Sequence, residues 1–139
     1  MEQAVRLIVI RPSDRAAEVS SGSMRREAGC SESLTGARKI WTGYVELGPA
    51  ALSAAHHHGE AESSIYIISG HARFVTADQI HDAEEGDFVF VPPNVVHIEA
   101  NRSDLDPVRM VVSRSTQEAL VFNVETPADW LLRARAPTA

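Results

Sequence analysis

Residues 86–101 read GDFVFVPPNVVHIEAN, and residues 56–70 read HHHGEAESSIYIISG. All six histidines of the chain fall between His56 and His97, which marks one region rather than a scatter of surface positions. Side chains two residues apart on a β-strand point to the same face, so His56 and His58 would share a face. Two imidazoles on one face and a third from a neighbouring strand can bind one cation. The two stretches therefore predict a metal site inside a β-structure.

The composition is that of a single globular domain. The chain has 139 residues, of which 44% are apolar and 23% are charged. The net charge is −6 and the arginines lie in short isolated pairs, so the sequence shows no basic patch of the kind that binds nucleic acid. One cysteine, Cys30, excludes an internal disulfide and fits a reducing compartment. Residues 5–10 are too short and too charged for a signal or membrane anchor, so we expect a soluble, cytoplasmic protein without a membrane partner.

Short runs rich in Val, Ile, Phe and Tyr, separated by turn residues, predict an all-β barrel or sandwich. The predicted strands are residues 5–10, 39–47, 64–69, 72–76, 88–91, 96–100, 108–113 and 119–124. Residues 11–33 contain a proline, two glycines and six serines, which predicts an irregular N-terminal excursion.

The end of the chain predicts a short helix. Thr126 would be its N-cap, Pro127 its first residue, and Asp129 would complete a weak capping box. The apolar residues 130–132 would then anchor the helix against the barrel, and residues 134–139 would form a frayed tail.

The two quoted stretches resemble the signature motifs of the cupin superfamily, G-x5-HxH-x3,4-E-x6-G and G-x5-PxG-x2-H-x3-N. The second motif matches at Gly86, Pro92, His97 and Asn101. Given ordinary residue frequencies, these four align by chance on the order of once in 10⁵–10⁶ registers. The resemblance covers roughly residues 39–115.

The resemblance implies an all-β double-stranded β-helix, a jelly-roll barrel of two antiparallel sheets. We place the barrel at residues 36–125, an N-terminal strand and irregular excursion at 1–35, and the short helix and tail at 126–139. Small cupins commonly pair, so a homodimer is also implied. The predicted strand at residues 5–10 would be a natural edge for pairing across chains, or would complete its own sheet.

Two departures from the motifs concern backbone and loop length. Asn94 stands where the second motif has glycine, but asparagine tolerates the left-handed conformation that a turn after Pro-Pro would need. Seven residues rather than five separate Gly48 from His56, a difference of little chemical weight.

The third departure concerns the glutamate of the first motif. Counting forward from His58 with three intervening residues gives Glu62, whereas counting back from Gly70 with six gives Ser63. A one-residue β-bulge would reconcile the two counts. Since a one-residue slip turns a side chain to the opposite face, Glu62 faces either the cavity or the outside.

The resemblance names His56, His58, His97 and Glu62 as candidate metal ligands, with Glu62 also the candidate catalytic base. The cofactor would be a divalent transition metal such as Zn, Fe, Mn or Ni. Three buried imidazoles without a metal would leave unsatisfied polar atoms at about 1–3 kcal/mol each. The alternative is a barrel whose histidines bond to water or to each other. Without the glutamate, three histidines would leave coordination positions open, as catalytic sites do.

Other residues receive plainer interpretations. His71 and His81 are predicted to lie at the surface, and Glu60 to be a solvated loop charge. His57 would lie on the opposite face of its strand, solvated or locally bonded. Candidates for the cavity wall, or simply for barrel core, are Trp41, Tyr44, Phe74, Phe88, Phe90, Met110, Val112 and Phe122.

The resemblance implies that a small-molecule ligand binds in the barrel. One hypothesis is an enzyme of the cyclase, isomerase or dioxygenase type acting on a carbonyl-bearing or aromatic substrate, similar to small bacterial cupins of the polyketide-cyclase kind. A second is a non-catalytic module that binds a small molecule. A third is a structural barrel with no metal.

Overall fold

The computed structural model describes residues 6–18, 21–117 and 121–137. Its strands are β1 Ala16–Ala17, β2 Met24–Cys30, β3 Trp41–Leu47, β4 His56–His57, β5 Ser63–Ser69, β6 His71–Val75, β7 Ile80–Glu84, β8 Phe88–Val91, β9 Ile98–Asn101, β10 Val108–Arg114 and β11 Phe122–Asn123. Its helices are a 3-10 turn at Pro12–Asp14, α1 at Glu32–Thr35 and α2 at Ala128–Ala134.

The strands form antiparallel sheets, as the sequence predicts. A six-stranded sheet has the order β1-β2-β3-β10-β5-β8, a three-stranded sheet has the order β7-β6-β9, and β11 pairs with β4. Strand β10 lies between β3 and β5, with Met110 opposite both Val45 and Ile67. Residues far apart in the chain therefore line one continuous inner face.

The core lies on the inner face of the large sheet. Burial alternates residue by residue along β3, β5 and β10, which is the period expected of strands with one face covered. The buried apolar members of these three strands are Trp41, Val45, Leu47, Ile65, Ile67, Val108, Met110 and Val112. This alternation also decides which polar side chains point inward.

The prediction of an irregular segment at residues 11–33 is wrong for residues 24–30. These residues form β2, which pairs with β3 along most of its length. Met24, Arg26 and Ala28 are buried and alternate with more exposed neighbours. The alternation is hard to read from the sequence because one of its inward positions is an arginine.

Residues 6–10 lie in no strand, although the sequence predicts a strand at 5–10, whose first residue lies outside the described part. Leu7 is 97% exposed, so apolar β-forming residues alone do not make a strand without a partner strand. Of the predicted strand at 119–124, residues 122–123 form β11, and 119–120 lie outside the described residues. Strand β7 is missed because its sequence, IHDAE, buries only its alanine.

Helix α2 begins one residue later than predicted. Pro127 is its N-cap, without a side-chain capping bond, and not Thr126. The Thr126 hydroxyl oxygen instead accepts a hydrogen bond from the backbone N–H of Ala55, at 3.0 Å. Thr126 thus ties the start of the helix to the residue directly before His56.

Of the three apolar residues predicted to anchor α2, only the first is buried. Trp130 is buried, whereas Leu131 and Leu132 are 42% and 75% exposed. The buried Arg73 of β6 completes the attachment by donating to the carbonyl oxygens of Arg133 and Ala136. Of the helices in the described ranges, none has the length and apolar character needed to cross a bilayer. The cytoplasmic location stays a prediction.

The turn before His97 depends on Asn94, whose φ is 62°. Its backbone N–H donates to the Gly59 carbonyl at 2.7 Å, and its side-chain amide donates to Glu60 Oε1 at 2.8 Å. The left-handed conformation predicted where the motif has glycine is therefore confirmed.

We expect Asn94→Val to lower the free energy of unfolding by about 1–2 kcal/mol, because a β-branched side chain is strained at this φ. Asn94→Gly should change it by no more than about 0.5 kcal/mol, because glycine adopts this conformation freely. Urea unfolding followed by circular dichroism measures both. Equal losses in the two variants would show that the amide contact to Glu60 matters and the backbone conformation does not.

Candidate metal centre

Backbone pairing brings the two histidine stretches together. The His56 N–H donates to the His97 carbonyl at 3.0 Å, and the His97 N–H donates back to the His56 carbonyl at 2.9 Å. The ring centroids lie 4.4 Å apart for His56 and His97, 5.0 Å for His56 and His58, and 5.5 Å for His58 and His97. All three side chains are buried, and their potential ligand atoms lie within 4.8 Å of one another. The predicted convergence of three imidazoles is thus present in the fold.

Second partners fix the orientation of two of the rings. His56 Nδ1 lies 2.8 Å from the Ala54 carbonyl oxygen, and His97 Nδ1 lies 2.9 Å from that of Val95. A carbonyl oxygen only accepts, so each Nδ1 carries a proton, and in the neutral form of the ring Nε2 then keeps the lone pair. Both Nε2 atoms are buried and have no hydrogen-bond partner within the described ranges. A ring held in this way is prepared to bind a metal through Nε2.

Burial keeps His56 neutral. It lowers the pKa of the His56 imidazole to about 4, against the opposing effect of Glu99. The neutral form is the one that binds metals, so at neutral pH no proton need leave this ring. Three inward imidazoles with open lone pairs fit a divalent transition metal.

Glu62 does not join the three imidazoles, although it is expected as a ligand and base. Burial alternates strictly from Ala61 to Ile67, which leaves Glu62 exposed and Ser63 buried. On the outside of the barrel, the Glu62 N–H donates a hydrogen bond to the Ser115 hydroxyl, and the Glu62 carbonyl accepts one from the Ser115 N–H. The β5–β10 ladder does contain an irregularity, but it lies beyond Ile67 and therefore does not turn Glu62 inward.

Glu99 is the carboxylate that sequence reasoning missed. It is 2% exposed, and its Oε1 lies 3.5 Å from His97 Nε2. A usable signal existed, because Glu99 follows His97 by two residues and the strand period places both on one face. A lone pair and a carboxylate oxygen that face each other repel unless a proton or a cation lies between them. Their juxtaposition therefore marks a place for a proton or a cation.

The carboxyl of Glu99 is held in its ionised form. Burial raises its pKa, whereas the contact with His97 and the positive charge of Arg26 lower the pKa, which lies at about 2. Its second oxygen, Oε2, is buried without a hydrogen-bond partner in the described part of the chain. Glu99 therefore offers a negative charge and a free acceptor beside the histidines.

Two arginines extend this polar interior, and sequence reasoning missed both. Arg26 and Arg114 are 3% and 2% exposed, and their guanidinium carbons lie 5.9 and 4.4 Å from the centre of the Trp41 ring. Gly43 makes room for that ring, because a Cβ there would lie 2.3 Å from a ring carbon. Burial, and then the charge of Arg26, lower the pKa of Arg114 to about 10, so it stays charged at neutral pH.

The candidates for the cavity wall divide into two groups. Trp41, Phe74, Met110 and Val112 are buried, as predicted. The other four are partly or largely exposed: Tyr44, Phe88, Phe90 and Phe122.

The residues predicted to lie at the surface or in solvent do so. His71, His81 and Glu60 are exposed. His57 points away from the centre and stacks on Phe122 at 5.0 Å between ring centroids.

A cleft of about 490 Å³ reaches His97 from the outside. Its lining is largely apolar and includes Phe74, Val91 and Val95, together with the exposed Phe88 and Phe90. A largely apolar cleft with a few polar groups is the usual form of a small-molecule site.

A family model described as "Cupin domain" matches residues 43–114, which is more than half of the chain. The chain belongs to the cupin family. The matched range contains all three converging histidines, and it confirms the double-stranded β-helix that the motifs imply. A search of curated proteins finds no match for this cupin.

Solved structures share the fold of this cupin at low sequence identity. The polyketide cyclase RemF from Streptomyces resistomycificus has a TM-score of 0.68 at 20% identity, over 99% of this chain and 95% of that one. An uncharacterised protein with a double-stranded β-helix domain from Klebsiella pneumoniae has a TM-score of 0.64 at 19% identity, over 78% and 90%. The oxalate decarboxylase of Bacillus subtilis has a TM-score of 0.72 at 19% identity, over 95% of this chain but 37% of that one.

Proposed function

We propose that this cupin binds one divalent transition metal through His56, His58 and His97 and acts as an enzyme on a carbonyl-bearing or aromatic small molecule. The observation that carries the proposal is the pair of buried Nε2 lone pairs, one of them facing the Glu99 carboxylate at 3.5 Å. A bound ion would supply Lewis acidity toward a carbonyl or enolate oxygen of the ligand.

Different residues of the chain would hold the metal, contact the ligand and exclude water from it. Three imidazoles leave coordination positions open, which distinguishes a catalytic or ligand-binding site from a closed structural one. Glu99 Oε2 can accept a hydrogen bond from a ligand and so help to orient it beside the metal. The apolar cleft that ends at His97 would admit the body of the ligand and exclude water from it.

The structural neighbours support an enzyme in general terms. One is a polyketide cyclase and another is an oxalate decarboxylase. The oxalate decarboxylase of Bacillus subtilis is described with Mn(II) centres. Identities near 20% show the fold alone, so these neighbours support the class of enzyme and not a particular reaction.

Metal analysis and turnover assays together test the proposal. Protein purified without chelator should contain about one equivalent of a transition metal. The metal-loaded protein should convert a carbonyl or aromatic substrate, and an iron form of the oxygenase type should consume oxygen. Binding of a ligand without any product would support the non-catalytic module, and an empty site in every preparation would support the structural barrel.

A matched pair of variants distinguishes the contribution of Glu99 to metal binding from that of Glu62. We expect Glu99→Gln to weaken zinc binding by about 10–100-fold, because it removes the negative charge beside His97. Glu62→Gln should change the affinity by less than about twofold, because that side chain is exposed. Competition with a chromophoric chelator measures both. A larger loss in the Glu62 variant would return Glu62 to the site.

A further inference from the structure

Two of the buried arginines face the interior of the barrel. Arg26 and Arg114 flank the Trp41 ring, on the inner faces of β2 and β10. Arg73, also buried, is different, because its guanidinium binds Asp82 and the carbonyl oxygens at the end of α2. A guanidinium is costly to remove from water, so the groups that surround two of them in one small interior must compensate this cost.

The position opposite Arg114 departs from the family motif. Ser63 of β5 pairs directly with Arg114 of β10, and its buried hydroxyl has no hydrogen-bond partner among the described residues. Counted back from Gly70, this is the position that the first motif gives to glutamate. Serine there removes one negative charge and the volume of a carboxylate group, and it leaves a hydroxyl donor beside the guanidinium.

Together with a bound metal ion, the charges of the described interior residues favour an anionic ligand. Among the described residues, the charges of Arg26 and Arg114 are matched by those of the buried Glu99 and the half-buried Glu18, which accepts a bond from Trp41 Nε1 at 3.1 Å. Neutral imidazoles add no negative charge. The two charges of a divalent ion would therefore remain uncompensated by the described residues of the interior.

We propose that the ligand of this cupin is a small organic acid whose carboxylate lies where the motif glutamate would lie, held by Arg114, Arg26 and the Ser63 hydroxyl beside the metal. This inference rests on the proposed metal site for its surplus positive charge. A guanidinium can bind both oxygens of a carboxylate at once, and a hydroxyl can donate to one of them. A carboxylate next to an open metal position would also orient a neighbouring carbonyl of the same molecule.

Calorimetric titration of the zinc-loaded protein with acetate and with acetamide tests this subsite, because the two probes share a shape and differ in charge. We expect acetate to bind at least about tenfold more tightly than acetamide. Arg114→Met should weaken acetate binding by about tenfold or more. Arg109→Met is the matched control, because Arg109 is exposed on the same strand, and it should leave acetate binding within about twofold.

Two further variants keep the test decisive. Ser63→Glu would place a carboxylate of the protein in the proposed subsite, so it should abolish acetate binding and retain zinc. Should Arg114→Met not fold, Arg114→Lys keeps the charge but not the planar fork, and it should weaken acetate binding severalfold.

Equal acetate affinity in the Arg114 and Arg109 variants, or wild-type acetate binding in Ser63→Glu, would overturn the carboxylate subsite. Its failure is distinguishable from failure of the metal site, because zinc content is measured on each sample. A wild-type protein that takes up no zinc overturns the proposed function, whereas a zinc-loaded protein with no preference for acetate overturns this inference alone.

Discussion

Replacement of His97 by alanine is expected to abolish stoichiometric metal binding. Its Nε2 is one of two buried lone pairs with a fixed tautomer, and its backbone pairs with His56. Loss of a direct ligand should cost more than loss of a supporting partner, so the zinc affinity should fall by more than about a hundredfold. Zinc titration against a chelator, with metal content measured after dialysis, gives both affinity and stoichiometry.

The matched control is His81→Ala, because His81 lies exposed on β7 and His97 is 2% exposed. The control should keep one equivalent of zinc and an affinity within about twofold of the wild type. Circular dichroism and unfolding curves should show that both variants fold. A folded His97→Ala protein that still takes up one zinc with wild-type affinity would remove His97 from the site.

Replacement of Trp41 by alanine should have the largest effect on stability. The side chain is fully buried, lies over Gly43 and contacts the guanidinium groups of Arg26 and Arg114. Its removal leaves a large cavity, which costs about 3–5 kcal/mol for a buried aromatic residue. Two buried cations would also lose their aromatic contact. Since a domain of this kind is stable by about 5–15 kcal/mol, the variant should be close to unfolding.

Urea unfolding followed by circular dichroism measures this effect. Leu105→Ala is the control, because Leu105 is 80% exposed in a loop, and it should change the free energy of unfolding by no more than about 0.5 kcal/mol. A loss of less than about 1 kcal/mol for Trp41→Ala would mean that the indole ring does not organise the interior.

The fold and the three histidines could be predicted because their signals are local in sequence. The period of two places His56 and His58 on one face, and the Gly86 to Asn101 motif places His97 beside them. The position of Glu62 could not be settled, because residues 65–68 are all apolar and two counts along the chain disagree. Only the burial of Ser63 in the fold decides which count applies.

Other features were missed because tertiary contacts override local pattern. Strand β2 carries Arg26 at an inward position, so its alternation of apolar and polar residues is interrupted. Strand β7 exists because it pairs with β6 along its length, and its own sequence is mostly polar. Residues 6–10 have the composition of a strand but no paired neighbour in the described chain.

Glu99 and Arg114 were both within reach of sequence reasoning. Glu99 is two residues from His97, and Arg114 continues the inward series of Val108, Met110 and Val112. A charged residue in phase with buried neighbours is a stronger sign of function than an apolar one, because its burial must be compensated.

Anomalous diffraction from a crystal of the zinc-loaded protein tests the metal centre most directly. One strong peak should appear inside the barrel, about 2.0–2.1 Å from nitrogen atoms of His56, His58 and His97. A barrel without a peak at this point, in protein that carries zinc elsewhere, would contradict the metal centre.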